Sequence, residues 1–375
     1  MRAVLLQAVL LLLIPCLASA QVPSAPALTA KGYILIDHDS GMVLAEKAAS
    51  ERLEPASITK LMTAYVAFSA IQSGQISLSD EVLISEKAWR TPGSRMFIEV
   101  GTRVPLELLL QGMIVQSGND ASVAIAEYVA GTESTFAELM NQNAAKLGMT
   151  GSNYVNSAGL PDPEHYTTAT DIAKLANAII TEFPEYYGWY SQKELTYNGI
   201  TQDNRNALLW RDPSVDGLKT GYTEAAGYCL VSSAKRDDMR LIAVVLGTES
   251  SSARANDSQA LLNFGFRFFE SKLLYAAGQP IIDERVWYGE PKTVRLVARE
   301  DINVAFPRGS YDLLEVSTSV PKALEAPLSN ETMAGNLSVL LNGEQLASAG
   351  LYPASNVEEA GLFGRLSDWI MLFFE

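Results

Sequence analysis

Strand signals at both ends of a helical middle predict an α+β domain, and a change of texture near Ser271 predicts a small all-β domain behind it. Length supports the division: about 355 residues remain once a leader is set aside, enough for two buried cores.

The elements follow in order. Residues 1–20 carry Arg2, an apolar run over 4–17 and Ala18-Ser19-Ala20, the pattern of a cleaved signal peptide, which sets the mature start near Gln21. A β-hairpin is predicted over 32–47, where Tyr33-Ile34-Leu35-Ile36 and Met42-Val43-Leu44-Ala45 flank a polar turn. Ser57 to about Ser73 is apolar nearly all round, the mark of a helix at a domain centre. Further helices are expected over 106–116, 121–130, 135–147 and 171–181. A second hairpin joins 227–234 to 239–247, and 256–270 reads as a helix with an apolar stripe. From 281 to 352 short β-type runs (294–297, 313–316, 337–340) alternate with Gly, Pro and Asn turns. The expected domains are therefore 21–271 and 272–355, with an amphipathic helix over 356–375.

Composition narrows the function. The net charge is −15, from 28 Lys and Arg against 43 Asp and Glu, which argues against nucleic acid and against electrostatic adhesion to anionic lipid. The two histidines, His38 and His165, stand far apart and no cluster has metal-ligand spacing, so neither a metal nor a cofactor is expected. Cys16 lies in the leader behind Pro15, a poor site for lipid attachment, and Cys229 alone cannot form an internal disulfide. No apolar run after the leader reaches the roughly 20 residues needed to span a bilayer.

Three short motifs carry the chemistry: Ser57-Ile58-Thr59-Lys60, Ser117-Gly118-Asn119 and Lys219-Thr220-Gly221. A serine hydroxyl is a weak nucleophile at neutral pH and needs a base within hydrogen-bond reach. With histidine so scarce, lysine is the expected base. Ser-x-x-Lys occurs three times, but Ser232/Lys235 falls in a predicted strand, where residues three apart face opposite ways, and Ser319/Lys322 contains Pro321. At Ser57 the spacing falls in the first turn of a buried helix, which brings amine and hydroxyl to one face. Burial there disfavours the ammonium and leaves an amine able to accept the Ser57 proton. Asn119 is expected to offer amide hydrogen bonds to a substrate backbone, Ser117 a hydroxyl relay. The Lys219 and Thr220 side chains suit a carboxylate, and Gly221 a close backbone approach.

These motifs in this order resemble the penicillin-binding protein and serine β-lactamase superfamily. The runs 198–206, 215–221 and 265–270 look like the low-molecular-mass D-alanyl-D-alanine carboxypeptidases of the type-5 group, and the likeness covers nearly all of 30–375. The resemblance implies a β-lactamase/transpeptidase-like catalytic domain. It implies peptidoglycan stem peptides ending in D-Ala-D-Ala as substrate and β-lactams as covalent inhibitors. Ser57 would be the nucleophile, Lys60 the base, and Arg254, just before the late helix, the holder of the terminal carboxylate. Tyr222 departs from the histidine frequent at that place; its backbone N–H, with that of Ser57, would form the oxyanion hole. His165 is expected to be a surface histidine outside the chemistry. The rival readings are a β-lactamase, for which no Glu-x-x-Leu-Asn element of the class A type is found, and a noncatalytic peptidoglycan-binding scaffold.

At the C-terminus Leu362, Leu366, Trp369, Ile370 and Phe373 recur on one helical face. The bland expectation is packing on the β domain or on a second copy. The resemblance favours a helix in the membrane interface at the periplasmic side of the inner membrane, attached by apolar burial, since Arg365 is the only cation beside Glu358, Glu359, Asp368 and Glu375.

Overall fold

A computed structural model describes residues 22–372; the signal-peptide reading, Cys16 and Phe373 lie outside them. The first domain is built on a five-stranded antiparallel sheet of β1 (Gly32–Asp37), β2 (Val43–Lys47), β3 (Val215–Thr223), β4 (Gly227–Arg236) and β5 (Met239–Thr248), in the order β2-β1-β5-β4-β3. Both predicted hairpins form. Strands from the two ends of the domain meet where β1 pairs with β5, Ile34 opposite Val244.

Alternation along the central strands explains a three-layer body. Ile34, Ile36, Ile242, Val244 and Leu246 enter the core on the helical face, while Tyr33, Leu35, Leu241, Ala243 and Val245 enter the core on the other. The helical face is covered by α1 (Lys60–Gln72), α2 (Leu106–Val115), α3 (Asn119–Ala130), α4 (Glu133–Lys146) and α5 (Ala169–Glu182). The opposite face is covered by α6 (Ser251–Phe268). Helix α1 is buried from Lys60 through Phe68, as its unbroken apolar sequence demands.

Two element starts differ from expectation. Ser57 lies not in an α-helix but in a 3-10 turn, Ala56–Thr59, that feeds α1. Helix α6 starts five residues before the expected Asn256, because Ser250 Oγ accepts from Ala253 N at 3.0 Å and caps a polar first turn that carries no apolar stripe. Arg254 therefore sits inside the helix rather than ahead of it.

The texture change near Ser271 falls within strand β6 (Phe269–Tyr275), which pairs with β9 (Ile302–Pro307). A six-stranded sheet adds β7 (Pro280–Trp287), β8 (Thr293–Val297), β10 (Leu314–Ser319), β11 (Leu324–Glu325), β12 (Gly335–Leu341) and β13 (Glu344–Pro353), in the order β10-β12-β13-β8-β7-β11. Val286, Leu296, Phe306, Leu337, Val339 and Leu351 form its core.

Helix α7 (Leu362–Leu372) turns its apolar side outward: Leu362 is 85% and Phe363 92% exposed, and Leu366, Trp369 and Ile370 are exposed as well. Its one buried residue is Asp368, which accepts from Tyr288 N (2.9 Å), Arg285 Nη2 (3.1 Å) and Lys292 Nζ (3.2 Å). The carboxylate that the sequence placed among the solvent charges is thus neutralised against the β domain. Among the described residues no helix is long and apolar enough to cross a membrane.

Candidate active site

The site forms where β3, the free edge of the sheet, meets the turn that starts α1. A Cβ on Gly221 would lie 3.0 Å from Pro55 O and 3.3 Å from Ala56 Cβ, so the expected close approach exists, and it is made to the protein's own 55–58 segment. A cavity of about 560 Å³ opens there. Ser57, Ser117, Asn119, Thr220, Tyr222 and Arg254 all line it, so segments far apart in the chain converge.

Lys60 is fully buried behind Ser57. In a 3-10 turn residues three apart eclipse, and Lys60 Nζ lies 3.0 Å from Ser57 Oγ. Its other neighbours are Asn119 Oδ1 at 2.7 Å and Ala158 O at 2.6 Å. Both oxygens only accept. A neutral amine, with two hydrogens and one lone pair, fits this surrounding: it donates to the two carbonyl-type oxygens and keeps its lone pair for the serine hydroxyl. Burial first, and the positive charge of Arg205 second, lower Lys60 from the usual lysine range to about 7, partly opposed by Asp120.

The orientation of Asn119 follows from its second contact, Nδ2 donating to Pro92 O at 2.7 Å, which leaves Oδ1 to face the lysine. Both ends of the amide are thereby engaged inside the protein, while Nδ2 retains a second hydrogen for the substrate hydrogen bond that the sequence predicts. Ser117 stands on the cavity wall with φ of +69°, and its buried Oγ has no hydrogen-bond partner among the described residues, so no relay to Lys60 is wired. The motif is anchored by Asp120, whose carboxylate accepts from the backbone N–H of Met96, Phe97 and Ile98.

Behind the opposite wall, which Thr220 to Thr223 line, Lys219 is buried, its Nζ donating to Thr220 O at 3.1 Å. Burial, followed by the charges of Lys60, Arg205 and Arg254, holds it well below the ordinary lysine value. Arg254 donates from Nη1 to Gly221 O at 3.1 Å and lies over the Tyr228 ring. Tyr222 is half exposed and stacks on Tyr228, ring centroids 4.2 Å apart. As the edge of the sheet, β3 leaves backbone groups on its cleft side free for a substrate strand.

A loop outside the three motifs, running into the stretch 159–171 that resembles the family's loop at the mouth of the site, closes the third side. Asn156 Oδ1 gathers the N–H groups of Ala158, Gly159 and Leu160, and Thr63 Oγ1 donates to Ser157 O at 2.7 Å. Gly159, with φ of +79°, packs against Ala56, where a Cβ would lie 1.8 Å from the carbonyl oxygen. His165 belongs to this loop and corrects the sequence reading: it is 2% exposed, not a surface residue. Val155 N donates to its Nδ1 at 3.2 Å, so the proton sits on Nε2, which donates to Thr59 Oγ1 at 2.8 Å. Burial lowers its pKa to about 4, and it is neutral. Ala158, Gly159, Leu160 and Arg205 are wall residues that the three motifs did not single out.

Comparison with known proteins gives this geometry its context. The family model of D-alanyl-D-alanine carboxypeptidase matches residues 19–250, and that of the penicillin-binding protein 5 C-terminal domain matches 269–359. D-alanyl-D-alanine carboxypeptidase DacC of Escherichia coli (strain K12) is 43% identical over 365 residues, covering 95% of this chain and 91% of that one. The crystal structure of penicillin binding protein 5 from Haemophilus influenzae superposes with a TM-score of 0.87 at 39% identity, over 90% of this chain and 100% of that one. Penicillin-binding protein D2 from Listeria monocytogenes in its ampicillin-bound form aligns with a TM-score of 0.59 at 28% identity, over 64% of this chain and 98% of that one. The chain belongs to the D-alanyl-D-alanine carboxypeptidase family of penicillin-binding serine peptidases, and it is a serine-type D-alanyl-D-alanine carboxypeptidase.

Proposed function

We propose that Ser57 attacks the carbonyl carbon of the penultimate D-alanine of a peptidoglycan stem pentapeptide, with Lys60 as base. The carrying observation is the buried amine held between two acceptors with its Nζ 3.0 Å from Ser57 Oγ. The Oγ–C bond forms as the hydroxyl proton passes to Lys60, and the C–N bond breaks as that proton moves to the leaving nitrogen, releasing D-alanine. Water then hydrolyses the ester. The N–H of Ser57 lies in a first helical turn, where backbone donors have no intrahelical partner, and with that of Tyr222 it stabilises the oxyanion. Asn119 holds the amine in place. Ser117 Oγ, unpaired at the wall, is available to the leaving nitrogen once a peptide is bound. Lys219, Thr220, Gly221 and Arg254 form the carboxylate end.

β-Lactams acylate the same serine. None of the described residues lining the cavity is an Asp or Glu, so a carboxylate that would activate water against the lactam-derived ester is missing from the walls, which favours slow release over lactamase turnover. D-alanine release from a stem pentapeptide, and a penicilloyl mass adduct, are both expected of the wild type and both absent from Ser57→Ala. Pentapeptide left intact by the wild-type protein would overturn the reading.

The exposed apolar side of α7 supports attachment to the periplasmic face of the inner membrane. Removal of residues 358–375 should release the protein from vesicles, while high salt should not, because the attachment is apolar. An unchanged distribution after truncation would refute it.

A further inference from the structure

The two ends of the cleft carry opposite charge. Arg205 and Arg254 line the carboxylate end, with Lys219 buried behind it. Past Tyr222 the free edge of β3 leads instead to carboxylates: Glu54 Oε2 lies 3.5 Å from Oγ1 of Thr223, which lines the cavity, and the charge of Glu224 bears on the Tyr222 hydroxyl. Glu54 makes no ion pair with any described residue. Arg52, two positions before it, lies over the Tyr166 ring instead. Between Thr220 and Thr223 comes an aromatic step. Tyr222 and Tyr228 are cross-strand partners with ring centroids 4.2 Å apart, and both line the cavity. Arg254 lies over the Tyr228 ring, while Tyr222 stays 50% exposed and keeps ring surface for a ligand.

The order of these groups along the strand sets the direction of a bound peptide. With its terminal carboxylate at Thr220 and Arg254 and its scissile carbonyl at the Tyr222 N–H, the acyl part runs antiparallel to β3, and the residue before the penultimate one, about 3.4 Å further on, comes level with Thr223. In a stem pentapeptide that is the third residue, a diamino acid whose side-chain amine is either free, as an ammonium on an aliphatic arm, or acylated in a crosslink. We propose that Tyr222 and Glu54 form a subsite that reads this amine, so that the enzyme trims stems with a free third-residue ammonium in preference to stems in which the amine is crosslinked. This rests on the carboxypeptidase reading of the site. The methylenes of the arm lie along the Tyr222 ring, and the ammonium meets both the ring face and the Glu54 carboxylate. An acylated nitrogen is neutral and gains neither attraction.

The test uses the full chain and two soluble pentapeptides that differ only at the third residue, lysine in one and Nε-acetyl-lysine in the other. For the wild type, kcat/KM for D-alanine release should be about tenfold higher on the free amine, and the ratio should shrink as salt is raised, a comparison that needs no variant. Each variant is read as the same ratio within one preparation, so a loss of folded protein cancels. Glu54→Gln should bring the ratio to about one, Glu54→Asp should keep part of it, and Glu54→Lys should turn it in favour of the acetylated probe. Tyr222→Leu, which retains the backbone N–H, should reduce it about threefold. Equal kcat/KM on the two probes, or a wild-type ratio that survives Glu54→Gln or Tyr222→Leu, would overturn the subsite while leaving the carboxypeptidase reading intact. A wild-type protein that releases D-alanine from neither probe would overturn both.

Discussion

Asn119 Oδ1 stands 2.7 Å from Lys60 Nζ, and the other end of the same amide is fixed on Pro92 O, so the residue acts as an oriented acceptor for the buried amine. An amide accepts without bringing charge. That difference decides whether Lys60 is a base at neutral pH, because an anion at this place would favour the ammonium.

The acid limb of kcat/KM should therefore have its midpoint near pH 7, where Lys60 loses its proton in the folded enzyme, activity rising as pH increases through that value. Asn119→Asp should move the limb upward by about one to three pH units, so that activity lost at pH 7 is partly regained at higher pH. Lys60→Met should lower kcat/KM by about 10²–10⁴ at every pH. A limb that stays in place in Asn119→Asp would mean that the titrating group is not Lys60.

Gly159 tests the loop that braces the nucleophile. Alanine there must adopt φ near +79° and place Cβ 1.8 Å from Ala56 O, immediately before Ser57. Gly159→Ala should cost about 1–3 kcal/mol in stability and slow acylation by a β-lactam about a hundredfold through displacement of Ser57. Stopped-flow acylation together with thermal melting checks both. Normal acylation in a folded variant would show that the loop does not position the serine.

Much of this site was legible because its chemistry lies in short motifs and its support in long periodic elements. The unbroken apolar run of α1 reported a buried helix, and Ser57, Asn119 and Lys219 stood out as residue types at set spacings. His165 was misplaced because burial of a lone histidine is decided by Thr59 and Val155, contacts that leave no periodic trace. Arg205 lay within a quoted run, yet only the fold shows that it lines the cavity. Asp368 read as one more solvent charge because Arg285, Lys292 and the Tyr288 amide reach it from the β domain, about 80 residues upstream.

Burial of His165 makes stability depend on pH in a defined window. Its folded value, about 4, lies below the ordinary histidine value of 6.5, so as pH falls the unfolded chain binds the proton first. The contribution is complete above pH 6.5, is lost progressively toward pH 4, and totals roughly 3 kcal/mol at about 1.36 kcal/mol per unit of pKa difference. His165→Gln retains a donor for Thr59 and cannot titrate, so its melting temperature should fall less steeply than that of the wild type between pH 6.5 and 4. Parallel curves would place the acid sensitivity elsewhere.

Asp368 ties the terminal helix to the β domain through a single carboxylate with three donors, while the rest of α7 faces outward. Arg285 and Lys292 are each substantially exposed, which limits what the ion pairs contribute, but the Tyr288 N–H bond is local and directional. Asp368→Ala should thus leave kcat and KM for a soluble pentapeptide unchanged, since the helix contributes no residue to the catalytic cavity. Amide hydrogen exchange over 362–372 should accelerate about tenfold, the equivalent of about 1.4 kcal/mol of lost local stability. On vesicles the variant should still bind, because Leu362, Phe363, Leu366 and Trp369 are untouched, but the helix and the β domain should lose their fixed relative orientation, measurable as a broadened distance distribution between spin labels on 315 and 367. An unchanged distribution and unchanged exchange would show that the buried carboxylate is a bystander in holding α7.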